Sequence, residues 1–371
     1  MTTLTLNSCN AQELNKKEID RILTKQVEGN KTPSVQYAIF NADTIIHQFR
    51  LGYADIKNNR EAKENTTYNA YSVTKTFTAL SVLQLAEQNK IDINKPIINY
   101  LPEFPYSADI TIRQLLTHTS GIPNPIPLSW IHLIDEHNTF DRDSFFAHVF
   151  RKHNNTKSKP NEKFAYSNLG YVILGQLIER ISRISYEDYV RANILQPLNI
   201  KTNELDFTIT DINQHAKGYH KKWSFSNIIL GLFIDKSKYM DKTEGKWNSF
   251  KNNYVNGVSY GGIIGVPAAF VKYIQELLKL NCKLITDDYK KILFTENYTS
   301  NNKATGMCLS WFRGELKGNQ YFAHAGGGGG YYCEIRIYPN LGIGSVIMFN
   351  RTGMSDERYL DKLDKHIMTE K

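Results

Sequence analysis

A chain of 371 residues with 41% hydrophobic and 12% aromatic content can bury a large core, which excludes global disorder. The formal charge of +8 comes from lysines spread along the sequence and not massed into a basic stripe, so nucleic acid is not an expected partner. No stretch approaches the ~18 apolar residues that would cross a bilayer, which excludes an integral membrane helix.

Taken in chain order, Met1 to Ala11 lacks both a charged n-region and an apolar h-region. Leu6-Asn7-Ser8-Cys9 resembles the end of a lipoprotein leader without its apolar part, and an ordinary polar tail is the simpler account. Location stays open between the cell envelope or exterior, with a leader removed, and the cytoplasm. Residues 11 to 29 have weak helical periodicity and end at Gly29. Ser34 to Phe40 and Thr44 to Leu51 read as strands joined by the turn-prone Asn41-Ala42-Asp43. A helix carrying Ser72 continues through Phe77, Leu80, Leu83 and Leu85 to about Asn89. Ile112 to Leu116 is a short helix entering Thr117-His118-Thr119-Ser120-Gly121, and Pro123, Pro125 and Pro127 then forbid regular structure. Phe145 to Phe150, Leu169 to Ser182 and Pro267 to Leu280 are further helices, and Lys201 to Val258 reads as irregular surface excursions.

From Met307 the texture changes. Met307 to Phe312, Gln320 to His324, Tyr331 to Tyr338 and Ile343 to Asn350 are short, aromatic and β-branched, as in an antiparallel meander, and Asp356 to Met368 closes the chain as a helix. Strands at both ends imply one sheet shared by the termini, built from 31–70 and 305–350, with a mainly helical insertion over 76–300. The expected organisation is a tail and helix over 1–30, a catalytic domain over 31–355, and a helix over 356–371 packed on the sheet. Cys9, Cys282, Cys308 and Cys333 make no CxxC pair; Cys308 and Cys333 fall in strand-like segments, but buried free thiols are the preferred reading.

Three features could do chemistry. Ser72-Val73-Thr74-Lys75 places a hydroxyl and an amine on one helix face, and the amine can serve as base if burial or nearby positive charge lowers its pKa. Ser300-Asn301-Asn302-Lys303 has the same pattern but no apolar helix behind it. Tyr166-Ser167-Asn168 opens a helix at a polar-to-apolar boundary, where Ser167 or Asn168 can cap; a packed tyrosine and a cap are the plain alternative. His324-Ala325-Gly326 runs into Gly327 to Gly330, glycines that let a backbone approach closely, or that simply make a flexible hairpin. A P-loop is excluded because Gly-Lys-Ser/Thr and a following helix are missing. His132, Asp135, Glu136 and His137 are weighed as metal ligands and set aside, since i and i+5 share no helix face. His118 and His215 read as structural.

Ser-x-x-Lys, then Tyr-x-Asn, then His-x-Gly is the motif order of the penicillin-recognising serine hydrolases. The chain resembles their class C β-lactamase-related group, with its esterases, D-aminopeptidases and DD-peptidases. Leu115-Leu116-Thr117-His118-Thr119-Ser120-Gly121-Ile122 and Tyr260-Gly261-Gly262 support the resemblance, which spans roughly residues 30 to 350. It implies a β-lactamase/transpeptidase-like α/β (α+β) fold, with an antiparallel sheet flanked by helices and an inserted helical domain. It implies that Ser72 forms an acyl-enzyme, that Lys75 and Tyr166 manage its proton, and that Asn168 holds the Lys75 amine or the substrate amide. His324 would line the opposite wall, backbone N–H groups of Ser72 and Gly327 would form an oxyanion hole, and Ala325 and Gly326 would contact substrate.

A tyrosine beside a lysine ammonium has its pKa pulled down, which makes Tyr166 a second base to consider. No cofactor or metal is implied, and the partner is a small ester, amide or peptide-like substrate. His-Ala-Gly in place of Lys-Thr-Gly turns the expectation from efficient β-lactam hydrolysis toward esters or amides without an essential carboxylate. The rival reading is a penicillin-binding sensor or slow scaffold; the joint presence of Ser, Lys, Tyr and Asn argues against it.

Overall fold

The computed structural model describes residues 15–224, 231, 234–352 and 358–368. A seven-stranded antiparallel sheet joins the two ends of the chain, as the strand pattern implied. Its order is Phe312–Leu316, Asn319–Gly328, Tyr331–Tyr338, Ile343–Phe349, Ser34–Asn41, Ile45–Asp55 and Arg60–Glu61. Register follows the period of two: Val35, Tyr37 and Ile39 face one side, Ala38 and Phe40 the other. The first set packs with Ile19 and Leu23 of the N-terminal helix and with Leu360 and Leu363 of the C-terminal segment. The second set packs on the helical layer, whose centre is the helix Thr74–Glu87. That helix is buried from Thr74 to Ala86, so it is apolar-packed all round and cannot be a surface element.

Four expectations change. Met307 to Trp311 is not strand; Ser310 takes φ 70° and Cys308 N–H donates to the Trp311 carbonyl, so the backbone turns there and the strand begins at Phe312. Cys308 is therefore not opposite Cys333. Both are free and buried, as is Cys282, and Cys9 lies outside the described residues. Burial pushes the Cys308 thiol up to about 12. The closing helix is reduced to Asp361–Asp364 among the described residues, because Leu360 N–H is spent on the Glu334 carboxylate. Finally, the Lys201 to Val258 stretch is more ordered than its polarity suggested. Tyr219–Lys221, Trp247–Phe250 and Met240–Glu244 form a three-stranded sheet, with Gly245 (φ 62°) in the hairpin turn. Residues 225–230 and 232–233 of that stretch lie outside the described set.

Candidate active site

Ser72 sits in a 3-10 turn, Tyr71–Val73, that runs directly into the buried helix. Tyr71 before it has φ 45°, a left-handed backbone that an L side chain adopts only when its surroundings impose it. Those surroundings are the short segment 259–263. Ala70 N–H donates to the Ile263 carbonyl, Ile263 N–H to Thr74 Oγ1, and Thr78 Oγ1 to the Ser259 carbonyl. The helix start is thereby bolted to a second piece of chain.

Lys75 Nζ lies 3.0 Å from Ser72 Oγ and donates to the Tyr260 carbonyl at 2.8 Å. Tyr166 reaches the same hydroxyl from the other side, its O–H donating to Ser72 Oγ at 2.9 Å. Lys75 is wholly buried, and among the described residues no carboxylate acts on it; burial drives its pKa well below that of a free lysine. The faces of Tyr166, Tyr171 and Tyr260 lie 4.9, 5.5 and 5.3 Å from the amine. Each such contact favours an ammonium by about 0.5–2 kcal/mol and so offsets part of the several kcal/mol that burying an unpaired charge costs; the balance lies toward the neutral amine.

Asn168 departs from the implied arrangement. Ser167, not Asn168, caps the helix Asn168–Ser182, its Oγ accepting from Gly170 N–H. The Asn168 side chain donates to Asn124 Oδ1 at 3.1 Å and does not bond Lys75, whose polar partners are Ser72 and Tyr260. Asn124 lies in the proline-rich loop and already accepts from Asn168 N–H at 3.0 Å, which turns the amide toward that loop. Ser300 is exposed and donates to the Asn161 carbonyl on a surface turn, with no helix behind it.

The third wall is the strand Asn319–Gly328. Beyond Ala323 it is paired on one edge only among the described residues, and the open edge faces Ser72. A Cβ at Gly326 would stand 2.1 Å from the Ala70 carbonyl and 2.6 Å from Ser72 N, so only glycine allows this approach. The glycine run is therefore strand through Gly328, and only Gly329 and Gly330 make the turn. His324 is buried, and its Nδ1–H donates to the Ser310 carbonyl. Burial pushes its pKa down to about 3, so the ring is neutral. Ser72, Tyr166, His324 and Gly327 line one cleft of about 680 Å³, with Phe164 and Phe312 beside them. A groove of equal volume, floored by Phe104, Phe150 and Ile173, shares no residue with it and holds no such cluster.

The discarded metal set is closer-knit than its spacing suggested. His132 and His137 bond ring to ring at 2.9 Å, because Ile134–Thr139 is a 3-10 turn and not an α-helix. Glu136 is spent on Lys238, and no cluster of three or more such ligands occurs among the described residues.

The family model for beta-lactamase matches residues 19–368. The chain belongs to the β-lactamase family. Penicillin-binding protein 4* of Bacillus subtilis (strain 168) is 25% identical over 335 residues, which are 87% of this chain and 70% of that protein. Protein flp of Staphylococcus aureus (strain N315) is 28% identical over 234 residues, 60% of this chain; that match spans 46% of flp, about half its length. Among solved structures, D-amino acid amidase from Ochrobactrum anthropi SV3 with D-phenylalanine has a TM-score of 0.73 at 20% identity, covering 95% of this chain and 98% of that one. A class C beta-lactamase has a TM-score of 0.72 at 17% identity, covering 95% of each. These last two establish the β-lactamase-like fold.

Two partners in the site carried no sequence signal as partners. The Tyr260 and Ser310 carbonyls are backbone atoms, which any residue type supplies, although Tyr260-Gly261-Gly262 did mark its segment as typical of the family.

Proposed function

We propose that this member of the β-lactamase family is a serine hydrolase that forms an acyl-enzyme on Ser72, acting on esters or amides that need no carboxylate for binding. The observation that carries this reading is the convergence of Lys75 Nζ and Tyr166 O–H on one hydroxyl, Ser72 Oγ. A neutral amine has one lone pair and two N–H groups. With one N–H on the Tyr260 carbonyl, the lone pair can take the Ser72 proton as Oγ attacks the substrate carbonyl carbon. The negative oxygen that results would rest against the backbone N–H groups of Ser72 and Gly327, at the positive end of the buried helix. Tyr166 would pass its phenolic proton to the leaving group and recover one from the Lys75 ammonium, which resets both groups; water then repeats the cycle on the acyl-enzyme with Ser72 Oγ as the leaving group.

Lys75 is favoured over Tyr166 as base because burial lowers the pKa of the amine and so disfavours the ammonium that would have lowered that of the tyrosine. The substrate limit follows from the same charges. Burial favours the neutral forms of Lys75 and His324, so neither is a firm partner for a carboxylate beside Ser72. The cleft is also lined by Arg313, which is paired with Glu296, and by Arg358. The open edge of the glycine strand would hold an extended acyl or peptide-like group by backbone hydrogen bonds. The names of the relatives, which include an amidase and a β-lactamase, fit a hydrolase.

The test is turnover of p-nitrophenyl acetate, which Ser72→Ala should abolish. Undiminished turnover in that variant would rule the mechanism out. A labelled penicillin that stays on Ser72 in a protein without ester turnover would favour the sensor reading.

A further inference from the structure

His118, read from sequence as structural, is the point on which the Tyr166 wall is built. It follows the helix Ile112–Leu116 and takes φ 55°, which turns its ring and its carbonyl toward the segment 164–167. Its carbonyl accepts from Ala165 N–H at 2.7 Å, and its Nδ1 accepts from Ser167 N–H at 3.1 Å. The backbone on both sides of Tyr166 is thus tied to this one residue. The imidazole also lies against the Tyr166 ring, with centroids 4.2 Å apart and planes 33° from parallel. Tyr171 and Phe164 close round it at 5.0 and 5.9 Å. Two residues back, the Leu116 carbonyl accepts from Tyr171 O–H and from Ser310 N–H, and the Ser310 carbonyl in turn holds His324.

We propose that His118 is a positioning residue for Tyr166: its ring backs the phenol while its Nδ1 anchors Ser167, and together they hold the phenolic O–H on Ser72 Oγ. The reading rests on the hydrolase function proposed above and assigns a residue to it. Because Nδ1 is an acceptor, the single ring proton lies on Nε2, and protonating Nδ1 would expel the Ser167 N–H. The groups that face the ring are Lys75 from the buried helix, His324 from the glycine strand, and Tyr166 and Tyr171 from the third segment. None is a carboxylate, and burial keeps His118 neutral, its pKa well below 6.5.

Two substitutions separate the two contacts. His118→Phe keeps a ring behind Tyr166 and removes the acceptor; His118→Asn tolerates the left-handed backbone, keeps a short acceptor and removes the ring. Each is assayed alone and combined with Tyr166→Phe, with kcat referred to the Ser72 sites that a fluorophosphonate labels. The expected result is a kcat roughly 10²-fold lower, with KM changed by less than about 3-fold, in the range of one lost acid–base contribution. In the double variants the loss should not exceed that of Tyr166→Phe alone, since a residue acting only through the phenol has nothing left to lose. Losses that multiply, or an unchanged kcat per labelled site, would overturn the positioning role. Turnover surviving Ser72→Ala would instead sink the hydrolase function, and the two failures are distinct because the first leaves Ser72 essential.

Discussion

Lys75 and Arg336 are both basic side chains with no exposure to solvent, and they face opposite sides of the same molecule. Arg336 lies under the C-terminal segment. Its guanidinium donates to Glu334 at 2.6 Å and Asp361 at 2.5 Å, stands 3.9 Å from Asp364, and stacks on the Tyr321 ring at 4.0 Å. Lys75 has a hydroxyl, a carbonyl and three tyrosine rings, and no carboxylate. Burial alone would neutralise a lysine but not a guanidinium, which stays charged; carboxylate partners compensate the charge of Arg336, and their absence turns Lys75 into a base. The first arrangement clamps a chain end, and the second makes a proton acceptor.

Replacing each cation with methionine should break the comparison in opposite ways. Lys75→Met should cost on the order of 10³-fold or more in ester turnover. The variant should be at least as stable as wild type at neutral pH, because folding no longer has to bury an amine that the unfolded chain keeps protonated. A clear loss of stability in urea titration would mean that Lys75 is a structural cation. Arg336→Met strands Glu334 and Asp364 in the interior and should cost about 3–5 kcal/mol. Turnover per fluorophosphonate-labelled Ser72 should be unchanged, and a fall there would show that the clamp shapes the site as well. Between these in subtlety is Gly326→Ala. Its methyl group would meet the Ala70 carbonyl and Ser72 N, so turnover should fall at least ~10-fold while Ser72 remains chemically present.

What the sequence could say about these two sites follows from which atoms matter. Ser72 and Lys75 were legible because three residues on one helix turn fix their contact, whatever the rest of the chain does. Tyr166 and His324 were legible through family motif order, and the structure brings Tyr166 onto Ser72. The partner of the Lys75 amine was not legible. It is a carbonyl, while Asn168, expected to hold either that amine or the substrate amide, donates to Asn124, a residue of a loop whose prolines announce only irregularity. His118 was read as structural, and the structure buries it against residues 164 to 171, in contacts across a gap that no local pattern bridges. Of the fold, alternation gave the central strands. It overran at Met307 to Trp311, where the left-handed Ser310 diverts the backbone. It passed over the hairpin at Gly245, where charged residues surround the one turn glycine.

The smallest effect is the dependence of stability on pH, where the two kinds of buried group pull in opposite directions. His215 and His324 titrate near 3 in the folded protein, and His118 also lies well below 6.5. The unfolded chain takes up protons on these rings below about pH 6.5 that the folded chain refuses. Their contribution is therefore complete above 6.5 and is lost as pH falls toward 3, by up to ~1.4 kcal/mol per pH unit for each ring. Burial raises the Glu334 carboxyl to about 7 and that of Asp364 to about 6, so the folded chain holds protons there that the unfolded chain releases. Their contribution is complete below about pH 4, where the unfolded carboxyls titrate, and is lost as pH rises from there through 6 to 7. Urea unfolding should therefore show an acid side on which stability rises steeply between pH 3 and about 4, where only the rings change, and more gently from about 4 to 6, where the two carboxyls oppose them. His215 is the ring to remove, because it bonds Thr67 and Tyr331 away from Ser72, and His215→Gln should flatten the acid side by one proton. An acid side as steep in that variant as in wild type would mean that His215 is protonated in the fold, and burial without an anion would then have failed to neutralise it.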